Sequence, residues 1–349
     1  MTTQMAAEIA EQPAVLERTL TALLPRRDEL RRLAETRREV LFVARGTSDN
    51  AGVYGRYLLE IHAGRGAALA APSLATHYQV RRDLADTLVV SISQSGETTE
   101  IVETQQWASD QGARTVAITN AEHSSLNRSA DLALVTPAGV ERAVPATKSH
   151  TAQLLAIAVL ADALAPASAT LEPALERVPD EVRRLLHERA GVDGAAAALA
   201  EADTTLVSGR GLAYGTALEV ALKLEETCLR PVRGLSYADL RHGPIAVVDP
   251  RTAVVLVAAA DGPMLEGMTG LARDLEGLGA PTVGIGGDAG FQQACRILVG
   301  GPRLPEAVAP IALVVPAQLI VEQLARRFGL DPDAPRGLTK VTDTDPPQA

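Results

Sequence analysis

Along this chain, short apolar runs alternate with longer stretches of helical periodicity. The runs at 41–44, 67–70, 88–92, 115–119 and 130–136 have the length of buried strands. Between them, 48–60 and 100–108 carry apolar residues at helical spacing. A helical segment over 5–37 precedes them, with Ile9, Val15, Leu16, Leu20, Leu23 and Leu24 on one stripe and a break near Pro25. This alternation predicts an α/β protein built on a doubly wound parallel sheet with helices on both faces.

After two more helical stretches, near 148–166 and 171–200, the pattern restarts. Leu206-Val207-Ser208-Gly209-Arg210-Gly211 repeats the character of Phe42-Val43-Ala44-Arg45-Gly46. An offset of 165 positions carries Gly46 onto Gly211, Glu60 onto Glu225 and Val89 onto Val254. A constant offset argues for two tandem α/β units rather than chance matching of apolar strands. The expected division is a helical segment at 1–37, a first unit at 38–168, a connector at 169–200, a second unit at 201–330 and a tail at 331–349. The second unit is expected to end in a helix over 311–328, broken once at Pro316.

Ser93-Gln94-Ser95-Gly96-Glu97-Thr98 lies where the strand 88–92 hands over to a helix. There the first helical N–H groups are unpaired and the helix dipole favours an anion. Ser93, Ser95 and Thr98 offer hydroxyls, Gln94 an amide, and Gly96 close approach of the backbone. None of these groups is charged, which suits a phosphate monoester held by many neutral hydrogen bonds. An ordinary helix capped by Ser95 and Thr98 is the competing reading. The repeat bears on this choice, because the offset places Ala258, Ala260 and Pro263 opposite the three hydroxyl residues. One copy has kept a cradle, and the other must supply something else.

The second unit offers a helix over 216–227 in which Lys223 and Glu226 share a face. Glu219 precedes Lys223 by one turn, in the order that favours an ion pair, although a solvated charged stripe would read the same way. His242 stands before a Gly-Pro break, on a loop entering the apolar run 245–248. An imidazole and a shielded carboxylate are the usual proton-moving groups at neutral pH. In the tail, Pro335-Arg336-Gly337-Leu338-Thr339-Lys340-Val341-Thr342 keeps two apolar residues around Lys340, which points to docking. A docked lysine would face an anionic substrate or condense with its carbonyl.

Composition narrows the classes. The 349 residues are 46% hydrophobic and 22% charged, as in a globular protein with a substantial core, and only 3% aromatic, so aliphatic residues must fill it. A net charge of −10 argues against nucleic acid or an anionic membrane as partner. Residues 1–13 lack the apolar core of a secretory signal, and the longest apolar run, 253–260, is too short to span a bilayer. Cys228 and Cys295 lie far apart, and the six histidines show no ligand spacing. A cytoplasmic protein with no metal and no cofactor is expected.

Taken together, these pieces resemble the sugar isomerase (SIS) family, most closely the isomerase half of glucosamine-6-phosphate synthase. The resemblance rests on 8–13, Gly46-Thr47-Ser48, Ser93 to Thr98, 217–226, His242-Gly243-Pro244 and 335–340. It implies two tandem flavodoxin-like SIS domains acting on a hexose 6-phosphate or aminosugar 6-phosphate. By resemblance, Ser48, Ser93, Gln94, Ser95 and Thr98 hold the phosphate. Glu226 transfers the proton between C1 and C2, and His242 opens the sugar ring from a neighbouring subunit, which makes the protein at least a dimer. Lys223 and Lys340 line the sugar site, where the tail lysine can form a Schiff base, with Val144 and Thr339 as further walls.

Departures from the family pattern are equally specific. Arg45 stands where the synthase has a small residue, Ala146 where it has a hydroxyl, and Glu225 where it has a base. Glutaminase chemistry is not expected, because Met1 is followed almost directly by the sugar-binding part. The expected activity is deamination and isomerisation of a 2-amino-2-deoxyhexose 6-phosphate. The alternatives are a lyase removing the C3 hydroxyl of N-acetylglucosamine 6-phosphate, and a sensor that binds without turnover.

Overall fold

The computed structural model of the chain describes residues 2–340, so Val341 and Thr342 of the expected docking segment lie outside the described residues. In the first unit, strands β1 (Glu39–Val43), β2 (Gly66–Leu69), β3 (Thr87–Ile92), β4 (Arg114–Thr119) and β5 (Leu132–Val135) form a parallel sheet in the order β2-β1-β3-β4-β5. The second sheet repeats that order with β6 (Thr204–Gly209), β7 (Val232–Ser236), β8 (Thr252–Ala258), β9 (Thr282–Gly286) and β10 (Ile297–Val299). Each is the flavodoxin-like order, in which ligands sit beyond the carboxyl ends of the strands flanking the switch point.

The sequence repeat is a structural one. Gly46, after β1, has φ +56°, and its counterpart Gly211, after β6, has φ +61°. Glycine tolerates this left-handed turn without a Cβ penalty, and each one starts the helix that follows its strand. β7, β9 and β10 were not legible beforehand. β7 is VRGLS with one buried residue, β9 carries two glycines, and β10 has three residues, so none shows a clear apolar run.

Alternation along the strands sorts the core. Val40, Phe42, Leu88, Val90, Val116 and Ile118 face one way, while Leu41, Val43, Val89 and Ala117 face the other. In the second sheet, Val207, Val255, Val257 and Ile285 join the same inner cluster as the first set. The two sheets therefore share one core, and several helices help to fill it. Among them are α1 (Gln4–Leu23), α2 (Gly46–Leu58), α4 (Lys148–Leu164) and α5 (Tyr214–Cys228); α3 (Thr99–Asp110) covers the outer face of the first sheet. Every residue of α4 is buried. Beyond the short α6 (Tyr237–Arg241), α7 (Ala309–Arg327) also belongs to the core.

The break expected at Pro316 does not occur. α7 continues through that residue because it is buried along most of its length, and packing outweighs the single backbone hydrogen bond proline forfeits. With 19 residues α7 is long and apolar enough to cross a membrane, but 89% of its apolar window is buried inside the protein. Where α2 and α5 cross, Gly215 permits close approach: a Cβ there would lie 2.6 Å from the Asn50 carbonyl oxygen.

Candidate active site

A cavity of about 370 Å³ opens at the carboxyl ends of β1 and β3, the switch point of the first sheet. Its lining draws on two strand-to-helix loops. Arg45 and Ser48 come from the start of α2, and Ser93, Gln94, Ser95 and Thr98 from the loop before α3. Val144 comes from the segment before α4, Lys223 and Glu226 from α5, and Thr339 and Lys340 from the tail. Of the twelve residues singled out, the chain's own fold thus brings together all but His242. That histidine is exposed at the end of α6, after the edge strand β7 of the other sheet, and does not line the cavity of its own chain.

The hydroxyls of the loop 93–98 are not spent on capping α3. Thr98 is the N-cap residue, yet its side chain makes no capping hydrogen bond. The hydroxyl of Ser93 accepts from Gly96 N–H at 3.1 Å, and that of Ser95 accepts from Glu97 N–H at 3.2 Å. These bonds shape the turn, in which Gly96 has φ +66°. α2 likewise starts without a side-chain cap, at Arg45. Two helix N-termini of full length therefore meet one cavity, and their dipoles and amides suit an anion there.

Adjacent residues at the start of α2 face different partners. The Ser48 hydroxyl lies 3.2 Å from Gln153 Oε1, and both residues line the cavity. Thr47 Oγ1 accepts from Lys223 Nζ at 2.9 Å and donates to Glu219 Oε1 at 3.1 Å. Asn50 Nδ2 donates to the other Glu219 oxygen at 2.8 Å. Lys223 also contacts Glu226 Oε2 at 2.5 Å and Glu219 Oε1 at 3.4 Å. The charged stripe read on this helix is therefore not solvated. Lys223 and Glu219 are buried, and only Glu226 keeps partial exposure, with its side chain 24% accessible, on the cavity side. Burial by itself would weaken the lysine's hold on its proton, but the carboxylates of Glu219 and Glu226 outweigh it and raise its pKa above the ordinary lysine value.

Arg45 is held flat against Glu100 by two bonds, at 2.8 and 2.7 Å. Two residues of this neighbourhood escaped sequence reasoning. Glu141 is a buried carboxylate facing Lys340, and no spacing announced it. Gln153 is one of several buried polar residues in the first half of α4, and nothing in its spacing set it apart. His150, read as lying on a helix near the pocket wall, sits fully buried in α4, and burial lowers its pKa.

Residues 33–163 match the SIS domain family. The chain belongs to the SIS family. It is 34% identical over 357 residues to a glutamine–fructose-6-phosphate aminotransferase (isomerizing) of Symbiobacterium thermophilum, an alignment covering 96% of this chain and 58% of that one. The chain thus spans a little over half the length of that relative. The C-terminal domain of the glucosamine-fructose-6-phosphate aminotransferase of Francisella tularensis superposes with a TM-score of 0.83 at 28% identity, covering 96% of this chain and 99% of that domain. The glucosamine-6-phosphate deaminase of Thermotoga maritima superposes at 0.76 with 26% identity, covering 98% of this chain and all of that structure. The SIS architecture explains the order of both sheets and the position of the cavity at the first switch point.

Proposed function

We propose that this SIS-family protein is a deaminase and isomerase of a 2-amino-2-deoxyhexose 6-phosphate, converting glucosamine 6-phosphate to fructose 6-phosphate and ammonia. The observation that carries the reading is the Lys223–Glu226 pair, which lines the same cavity as the uncharged loop of Ser93, Gln94, Ser95 and Thr98. The similarity over nearly its full length to a glucosamine-6-phosphate deaminase supports it.

On this reading the 6-phosphate rests on Ser48, Ser93, Gln94, Ser95 and Thr98, at the two helix N-termini. His242, supplied by a second copy of the chain, moves a proton between O5 and O1 and opens the ring. Glu226 then takes the proton at C2, which the adjacent aldehyde acidifies. Lys223, kept protonated by its two carboxylates, stabilises the oxygen that gains charge in the enaminol. Glu226, after exchanging its proton with solvent, protonates C1 and leaves an imine between C2 and the substrate's own nitrogen. Water adds to that imine, and the carbinolamine expels ammonia to leave the C2 ketone.

Arg45 favours a second reading. Its guanidinium lines the cavity where the synthase pattern has a small residue, and a donor there would hold the carbonyl of an N-acetyl group. An acetylated nitrogen does not leave, so the same C2 carbanion would expel the C3 hydroxyl. Incubation with glucosamine 6-phosphate and, separately, its N-acetyl form decides between the two. Ammonia with fructose 6-phosphate from the first supports the deaminase, and an ultraviolet-absorbing unsaturated sugar from the second supports the lyase. Turnover of neither would leave the sensor.

A further inference from the structure

Lys340 is the last residue of the described chain, and its ammonium already has three acceptors. It donates to Glu141 Oε2 at 2.8 Å, to the Ala143 carbonyl at 2.7 Å and to the Val144 carbonyl at 3.4 Å. An ammonium has three N–H donors, so its hydrogen-bonding capacity is filled. Glu141 is built to receive it. The side chain of Glu141 is wholly buried; it accepts from Thr147 N–H at 2.9 Å, from Ser149 N–H at 3.1 Å and from the Ser149 hydroxyl at 2.6 Å. Burial opposes the charge on Glu141, yet Lys340 and these donors together hold its carboxyl below the ordinary glutamate value. Glu141 is therefore ionised at neutral pH.

The socket is itself tied down. Glu8 accepts from the backbone N–H groups of Arg142 (2.5 Å) and Ala143 (3.3 Å). Asp333, a few residues before Lys340, accepts from Gln4 and Met5 N–H at the start of α1, and its own carbonyl accepts from Val144 N–H at 2.8 Å. The tail is thus clipped at Asp333 and again at Lys340, and between the clips Leu338 lines the cavity.

We infer that Lys340 acts as a latch that holds the tail over the sugar site through Glu141, and that it forms no imine with substrate. The inference rests on the deaminase reading. In that chemistry the imine at C2 forms with the substrate's own nitrogen, so no protein amine is required. Glu141 is then a positioning residue, which joins tail closure to the Val144 wall of the cavity.

The chain has only three lysines, at 148, 223 and 340, so the fate of each amine can be followed by mass spectrometry. Borohydride added during turnover of glucosamine 6-phosphate is expected to leave the mass of the chain unchanged. K340M is expected to raise KM about tenfold while kcat stays within about threefold. E141Q should show the same split, and its Lys340 should be acetylated about tenfold faster than in the wild type. A reduced sugar adduct on Lys340, or a kcat that falls about a thousandfold in K340M at unchanged KM, would overturn the latch. So would equal acetylation rates of Lys340 in the wild type and E141Q. The acetylation comparison needs no turnover: a wild-type protein inert toward glucosamine 6-phosphate, yet with Lys340 protected until Glu141 is changed, would overturn the deaminase reading and leave the latch standing.

Discussion

Glu226 shows how a sequence position becomes a chemical one. Three residues of spacing put it on the face of Lys223, but only the fold shows that Lys223 and Glu219 are buried while Glu226 reaches the cavity. E226Q keeps the shape of the side chain and removes its basicity. We expect it to bind glucosamine 6-phosphate within about threefold of the wild type by calorimetry while kcat falls at least about a thousandfold. Glu219 was legible as a partner of Lys223 by its spacing, but not as the junction between units, because Thr47 and Asn50 come from far away in the chain. E219L would leave Lys223 with less compensation for its burial. A loss of about 3 kcal/mol in unfolding free energy, read by denaturant titration, is the expected outcome.

Among the elements, β3 and β4 of the first sheet were readable because each is an apolar run buried on both faces. The edge strands of the second sheet were not, because partial exposure admits Arg233, Gly234 and short lengths. The helix expected to break at Pro316 stayed whole for the same reason that β3 and β4 could be read: burial decides. Gly46 belongs at this scale, since its φ of +56° turns β1 into the cavity-facing end of α2. Nothing lies within 4 Å of where its Cβ would be, so G46A carries only the backbone penalty. It should cost about 1–2 kcal/mol and weaken substrate binding more than it slows turnover, which melting curves and KM would show.

At the scale of the whole molecule, the site joins two units of the chain and, on the proposed reading, two copies of it. His242 was expected to act from a neighbouring subunit, and it does not line the cavity of its own chain. If a second copy completes the site, mixing the two inactive variants E226Q and H242N should restore about a quarter of wild-type activity after subunit exchange, since one site in each mixed dimer regains both residues. The charge clusters also set a pH window. The Glu141 carboxyl lies below its ordinary value when folded, so its contribution is complete above the glutamate range and is lost as pH falls through the folded value. Lys223 lies above its ordinary value, so its contribution is complete below the lysine range and is lost only as pH rises through the folded value. Thermal stability should therefore decline first on the acid side, and E141Q should flatten that decline.

The proposed function turns on proton abstraction at C2 of a sugar whose phosphate would rest on the uncharged loop. Proton NMR of glucosamine 6-phosphate with the enzyme in heavy water measures that step directly. The expected result is loss of the C2 proton and appearance of fructose 6-phosphate carrying label at C1, both absent with E226Q. A C2 proton that persists with the wild-type enzyme, or that exchanges equally fast with E226Q, would contradict it.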